Sequence, residues 1–238
     1  MKIALLGYGK MGKAIEEIAV QRGHEIVLKV NIDNLEDNTI ENIRKADVAI
    51  EFTGPGTAFE NVQKCFDAGT PVVCGSTGWL DKFDEARSLC TKKNGALLYA
   101  SNFSIGVNIF FAVNERLAEL MAQQPQYDVS IKEIHHTQKL DAPSGTAISL
   151  AEQVLQRSSN KNQWVKEKGN QPGDLVIHSE RTDPAPGTHH VKYTSEVDDI
   201  EIIHTAHSRK GFASGAVLAA EFLAGKKGVF SMRDVLGI

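Results

Sequence analysis

Cysteine is scarce in this chain: three among 238 residues, Cys65, Cys74 and Cys90, without C-x-x-C spacing. An odd, unclustered set argues against a disulfide framework and against a zinc site, and reads as the reduced thiols of a cytoplasmic protein. No apolar run approaches the roughly 18 residues that span a bilayer. Ile3-Ala4-Leu5-Leu6 is apolar, but Gly7 ends it too soon for a signal peptide. Lys and Arg form no block and the formal charge is −4, so the sequence offers no footprint for nucleic acid. Internal repeats and low-complexity segments are missing too. A hydrophobic content of 42% and a charged content of 24% are those of an ordinary globular protein. The length suits one large domain or two modest ones.

What is there begins with alternation. Lys2 to Leu6, Glu25 to Val30, Asp47 to Thr53, Pro71 to Cys74 and Ala96 to Ala100 read as strands, separated by helical or turn segments. That order predicts an open parallel α/β sheet. After Asn102 the pattern changes. A long apolar helix is expected over Ile105 to Met121, a strand over Tyr127 to Ile134, and a helix from Ser144 to Gln156. Ser158 to Gly173 is polar and reads as a loop. Leu175 to Glu180, His190 to Thr194 and Ile200 to His207 then follow as strands with no helices between them, which favours an α+β unit with a mixed or antiparallel sheet. A last apolar helix, Ala213 to Ala224, suits packing back on the first domain. The expected division is 1–102 with 213–238 as a dinucleotide-binding domain, and 103–212 as a substrate and oligomerisation domain.

Gly7-x-Gly9-x-x-Gly12 sits between the first strand and the first helix, the context that gives this motif its meaning. The first glycine permits the turn, the second lets backbone approach a pyrophosphate, and the third lets helix and strand pack closely. Asp33 lies about 20 residues further on, just past the second strand, where a carboxylate accepts hydrogen bonds from an adenine ribose. An acidic residue there, followed by Asn34 with Lys29 and Arg44 as nearest cations, favours NAD and leaves NADP open. Ligands in such sheets lie beyond the carboxyl ends of the strands. Gly75-Ser76-Thr77-Gly78 and Ala100-Ser101-Asn102-Phe103 are therefore candidates for the nicotinamide half.

The richest chemistry lies in Glu133 to Ala147, which packs His135, His136, Lys139 and a Ser144-Gly145-Thr146 helix start into one stretch. Imidazoles titrate near neutral pH and pass protons, lysine supplies positive charge, and a helix start offers N–H groups to an anion. The run reads as a site that binds carboxylates and manages a proton. On a strand, His135 and His136 point oppositely, so only one faces a given cleft unless the strand has ended. Asp141 and Pro143 read as turn formers, and Ser144 as either helix cap or substrate contact. Arg209 is a further candidate for a carboxylate or cofactor phosphate. His24, His178, His189, His190, His204 and His207 show no ligand pattern, so no metal is expected.

The E-x-H-H-x-x-K-x-D-A-P-S-G-T-A run, the glycine loop, the Gly75 segment, Asn102-Phe103-Ser104 with Gly106-Val107-Asn108, and the tail (Phe212 to Val217, Met232 to Leu236) together resemble the 4-hydroxy-tetrahydrodipicolinate reductase (dihydrodipicolinate reductase) family over essentially the whole chain. The resemblance implies an NADH- or NADPH-dependent oxidoreductase of lysine and diaminopimelate biosynthesis. Its fold would be a Rossmann-like N-terminal domain and a central domain carrying a mixed sheet. It implies His135 and Lys139 as proton donors, with His136, Gly145 and Thr146 as substrate-binding residues. Gly7, Tyr8, Gly9, Lys10, Met11, Gly12, Asp33, Gly75, Ser76, Thr77, Ala100, Ser101, Asn102 and Phe103 would be cofactor contacts. It also implies a small dicarboxylate substrate and a homotetramer assembled through the central sheet. Ser76 stands where many relatives carry Thr. Arg181 to His189 departs from the family pattern G-x-I-V-G-E-H, with Gly187 and His189 as the matching positions. Two other readings fit the glycine loop: a two-domain amino-acid dehydrogenase acting on aspartate or diaminopimelate, and a non-enzymatic dinucleotide sensor. Neither requires the run from Glu133.

Overall fold

The computed structural model describes residues 1–208 and 210–238, so Arg209 lies outside the described residues. Its elements run β1 (Lys2–Leu6), α1 (Lys10–Gln21), β2 (Glu25–Val30), α2 (Ile40–Ile43), β3 (Val48–Glu51), α3 (Ala58–Ala68), β4 (Val72–Cys74), α4 (Phe83–Lys92) and β5 (Ala96–Tyr99). After these come α5 (Ile105–Met121), β6 (Asp128–His135), α6 (Gly145–Arg157), β7 (Gln163–Lys166), β8 (Asp174–Arg181), β9 (Gly187–Thr194) and β10 (Asp199–Ala206). The chain closes with α7 (Lys210–Leu223), β11 (Gly228–Phe230) and α8 (Met232–Leu236). It divides into two compact units, Met1–Asn108 with Lys210–Ile238, and Ile109–Arg209.

The first unit holds a six-stranded parallel sheet in the order β11-β5-β4-β3-β1-β2. Its strands are apolar on both faces because helices cover both. Ile3 and Leu5 point to the side covered by Ile15 and Ala19 of α1 and by Ala213, Ala216, Val217 and Ala220 of α7. Ala4 and Leu6 point to the other side, against Val62 and Phe66 of α3 and Ala86 of α4. Strand order reverses at β1, with β2 on one side and β3 on the other. The loops after β1 and β3 therefore diverge and leave a crevice at the carboxyl ends of the strands.

The second unit is a mixed sheet in the order β10-β9-β6-β8-β7. β6, β8 and β7 run parallel; β9 is antiparallel to β6, and β10 to β9. α5 and α6 cover one face, with Phe110, Leu150 and Val154 packed on Val129, Ile131, Leu175, Ile177 and Val191. Asn114, fully buried on α5, donates to the Leu150 carbonyl (3.2 Å) and to Gln153 Oε1 (2.9 Å), tying the two helices together.

Three strands depart from the expected pattern, and a short helix, α8, follows the one expected to be last. β7 lies within the segment expected to be a loop, because Trp164 and Val165 half-bury while β7 adds to the edge of β8. β9 begins at Gly187, not His190, since Gly187 and Thr188 pair with Ala206 and Thr205. β11 is a short added strand beside β5.

α7 is rich in small residues for a steric reason. A Cβ built on Gly215 would lie 1.7 Å from the Phe103 carbonyl oxygen. Gly215→Ala should force the helix off the backbone after β5 and cost about 1–3 kcal/mol, the range for an overpacked core. The measurement is the denaturant midpoint of the variant; an unchanged midpoint contradicts the packing described.

Candidate functional site

In the first unit the site starts where β1 ends. Gly7 has φ +100°, and a Cβ there would sit 2.2 Å from the Phe52 carbonyl oxygen, so only glycine fits. A Cβ on Gly12 would lie 2.3 Å from the Gly7 carbonyl oxygen, whereas one on Gly9 would meet nothing within 4 Å. The loop is thus closed on its protein side and open on the other. Gly9 caps α1 without a side chain, leaving the first-turn N–H groups for an anion.

Beside it lies a cleft of about 760 Å³ lined by Gly7, Tyr8, Gly9, Lys13, Asn31, Ile32, Asp33, Thr53, Asn61 and others. These residues fit a dinucleotide: a Cβ-free cradle, a helix start and an acidic residue face one space. The Asp33 loop is wired internally. Asp33 N–H donates to Asn31 Oδ1 (2.5 Å), Asn31 N–H to Asn34 Oδ1 (2.8 Å), and Asn34 Nδ2 to the Lys29 carbonyl (2.8 Å). Lys29 pairs with Glu16 at 2.5 Å, and the Tyr8 hydroxyl donates to the same carboxylate. Thr53 is held at the cleft by buried Glu51, which accepts its N–H (2.9 Å) and the Cys74 thiol (3.1 Å). Burial, then the Glu51 charge, pushes the Cys74 thiol far above its usual range.

Of the expected cofactor contacts, Gly7, Tyr8, Gly9 and Asp33 line this cleft. Lys10, Met11, Gly12, Gly75, Ser76, Thr77, Ala100, Ser101, Asn102 and Phe103 do not. Gly12 is turned towards Gly7, inside the loop. The Phe103 ring is buried in the apolar core, 5.6 Å from the Phe52 ring, which leaves its backbone beyond the end of β5. Gly75 admits the Phe52 ring, whose Cζ would lie 2.2 Å from a Cβ. Ser76 follows β4 with its buried Oγ unpartnered. Lys13, Asn31 and Thr53 also line the cleft; they carry no motif and reach it through topology.

In the second unit, Glu133 and His135 share the inward face of β6 with Val129 and Ile131. Register places Glu133 between Ser179 of β8 and His189 of β9, and His135 beside Arg181. The Glu133 carboxylate is fully buried. It accepts the Ser144 N–H (3.1 Å to each oxygen), the Ser179 hydroxyl (2.8 Å) and Arg181 Nη2 (3.1 Å). His135 Nδ1 approaches to 3.3 Å, at ion-pair distance but out of line for a hydrogen bond. Burial alone would raise the Glu133 pKa. His135, Ser144, Ser179 and Arg181 outweigh it and hold the carboxyl well below the usual carboxylate range.

His189 stands 5.1 Å from the His135 ring, with Nε2 3.2 Å from Ser144 Oγ. Burial foremost, then the neighbouring His135, pushes its pKa down to about 3, so it is neutral at physiological pH. A Cβ on Gly187 would lie 3.1 Å from His135 Nε2, so glycine leaves that nitrogen room.

β6 ends at His135, so His136 is the first residue beyond it and escapes strand alternation. Thr137 N–H and hydroxyl bind Asp183 (3.3 and 2.5 Å). Lys139 is paired with both oxygens of Asp141 at 2.8 Å, giving Asp141 an electrostatic partner beyond its turn position. Ser144 is the N-cap of α6, its Oγ accepting from Ala147 N–H (3.2 Å). The N–H groups of Gly145 and Thr146 in the first turn are left uncapped by it. The sequence assigns no role to Glu133, Ser179 and Arg181, and only a family match to His189. Glu133 was visible as the i, i+2 neighbour of His135, but its partners arrive from two other strands.

Comparison with known proteins agrees across the chain. The family model described as "Dihydrodipicolinate reductase, N-terminus" matches residues 1–103, and that for the C-terminus residues 106–236. A 4-hydroxy-tetrahydrodipicolinate reductase of Christiangramia forsetii is 51% identical over 99% of this chain and 98% of its own. One of Methanosarcina mazei is 34% identical over 99% and 89%. The solved dipicolinate-bound dihydrodipicolinate reductase from Paenisporosarcina sp. TG-14 superposes with a TM-score of 0.78 at 25% identity, covering 97% of both chains.

His189 carries a measurable consequence. The unfolded chain takes up a proton near pH 6.5, whereas the folded chain resists until about pH 3. The folded state thus loses stability progressively as pH falls between these values, and its contribution is complete above them. His189→Gln should flatten the thermal midpoint against pH from about pH 6.5 to 4.5, above the range where unfolded carboxylates titrate. An unchanged slope contradicts a buried neutral His189.

Proposed function

The chain belongs to the dihydrodipicolinate reductase family and is an NAD(P)H-dependent 4-hydroxy-tetrahydrodipicolinate reductase of lysine and diaminopimelate biosynthesis; we propose that His135 and Lys139 manage the protons of this reaction. The observation that carries the assignment is the setting of His135, at the end of β6 beside an ionised buried carboxylate, with glycine against its Nε2. The 4-hydroxyl of the substrate leaves as water, giving a conjugated ring, and a bound dihydronicotinamide would supply the hydride to C4 of that ring. His135 donates the proton that quenches the charge left on the conjugated carbon–nitrogen system. Lys139 exchanges Asp141 for a substrate carboxylate and offsets developing negative charge. The N–H groups of Gly145 and Thr146, the Thr146 hydroxyl and His136 hold a second carboxylate at the start of α6.

Cofactor binding falls to residues 1–102 with 213–238, and substrate binding and assembly to 103–212. The glycine cradle supports the first assignment and the Glu133–His135 cluster the second. Gly75 to Thr77 and Ala100 to Phe103 serve the nicotinamide half through backbone groups and small hydroxyls, a reading supported by their place after β4 and β5. NADH is the preferred cofactor. Asp33 lines the cleft, and Lys29, the cation nearest in sequence, is engaged by Glu16, which leaves a 2′-phosphate facing an anion. The assembly is a cytoplasmic homotetramer without nucleic-acid or membrane partners; the exposed Ile203 on the outer face of edge strand β10 supports an apolar subunit contact.

A coupled assay with dihydrodipicolinate synthase, run with NADH and NADPH separately, tests these roles. His135→Gln and Lys139→Ala should each lower kcat by about 100-fold or more, the scale of general acid catalysis; wild-type rates in both would remove the assignment. Asp33→Ala should shift kcat/KM towards NADPH relative to NADH by roughly tenfold, the ratio given by about 1.4 kcal/mol of relieved repulsion. An unmoved ratio would place cofactor choice elsewhere.

A further inference from the structure

We infer that Arg181 and Glu133 act together as positioning residues for the reaction, Glu133 orienting the His135 imidazole and Arg181 locking both Glu133 and the loop that carries Lys139. The inference rests on the proton-handling roles proposed above. Arg181 ends β8 and lies opposite His135 in the parallel pair β6–β8. Its guanidinium spends each arm on a different part of the site. Nη2 donates to Glu133 Oε1 (3.1 Å) and to the Asp141 carbonyl (2.6 Å), Nε to the Lys139 carbonyl (3.2 Å), and Nη1 to the Glu180 carbonyl (2.9 Å). One rigid planar cation therefore joins the buried carboxylate beside His135 to the backbone on both sides of residue 140. A lysine at this position has neither the fork nor the reach to hold all of these acceptors.

Glu133 passes that order to His135. Its Oε2 is 3.3 Å from Nδ1, so the anion favours a proton on Nδ1 and leaves Nε2, the nitrogen beside Gly187, as the one that exchanges a proton with the substrate. Ser144 N–H and the Ser179 hydroxyl hold the carboxylate in place, so it cannot swing away from the ring. The remaining neighbour, His189, approaches Glu133 Oε2 only to 3.9 Å and is engaged with Ser144. The groups that hold the carboxylate come from β8 and the α6 cap, so Glu133, on β6 itself, passes to the imidazole an order fixed from outside that strand.

The test compares Glu133→Gln, Glu133→Asp, Arg181→Lys and His135→Gln in the intact enzyme. Glu133→Gln should lower kcat by about 10- to 100-fold, the loss expected when a reacting group is misplaced by an ångström, with KM for the substrate near wild type. Arg181→Lys should lower kcat comparably and also raise KM, because the Lys139 loop loosens. Glu133→Asp, which restores the charge, should recover part of the loss. Long-range ¹H–¹⁵N spectra of His135 should show the neutral tautomer ratio shifting in Glu133→Gln, which a merely structural role would not produce. If Glu133→Gln does not fold, Arg181→Lys and Glu133→Asp decide. Wild-type kcat in the folded variants, or loss of activity in proportion to lost thermal stability with the tautomer ratio unmoved, overturns the inference. Should His135→Gln be inactive while the positioning variants match wild type, only this inference falls. Should His135→Gln itself be fully active, the proposed proton donor falls first.

Discussion

The anion of Glu133, sealed from water in the second unit and held by Arg181, Ser144 and Ser179, is the constraint on which the candidate substrate site depends. A carboxylate so buried would take up a proton unless several donors converged on it. The donors come from β8 and from the cap of α6, so satisfying one side chain fixes where two elements meet β6. The same carboxylate stands beside His135. Such a pair adds little stability over apolar groups of similar volume, whereas loss of one partner costs about 3–5 kcal/mol. The arrangement is therefore better understood as a way of holding groups in place than as a source of net stability.

The first unit solves a different problem. Its sheet is apolar on both faces, and a polar cleft opens at the reversal at β1, where the loops that carry Gly7 and Thr53 diverge. The glycines are there because backbone must come within contact of backbone at Phe52 and at Gly7 itself. Glu51 carries charge into this region but spends it on Thr53 and Cys74, which keeps a loop residue at the mouth of the cleft.

Much of this was legible in the sequence because it is local. The bounds of α5 follow from a largely apolar segment between Ile105 and Met121, and β1 and β3 from short runs with no polar face. The glycine loop and Asp33 could be read because backbone conformation and spacing leave a trace in residue type. The family run located His135 and Lys139, but not what surrounds them. Ser179, Arg181 and His189 lie some 45 residues or more from Glu133 along the chain and meet it only through strand register. β7 escaped notice because an edge strand of four residues, half-buried between polar flanks, carries too little periodicity. That Phe103 turns its ring into the core has no trace in the sequence, because a residue beyond a strand end can face either way.

The interrupted construction of the first unit has a bearing on how the chain acquires its structure. Ala213, Ala216, Val217 and Ala220 complete a core begun by Ile3, Leu5 and Ile15, yet every residue of the second unit is synthesised between them. On the ribosome, the mixed-sheet unit can emerge whole and collapse while the parallel sheet still has one face exposed to water. The nucleotide-facing half thus waits for contacts of very long sequence separation, which pay their loop-closure entropy late and form slowly. Newly made chains pass through a stage in which the Glu133 cluster can be assembled while one face of the parallel sheet still lacks α7, and at this stage that face is open to chaperones and to aggregation.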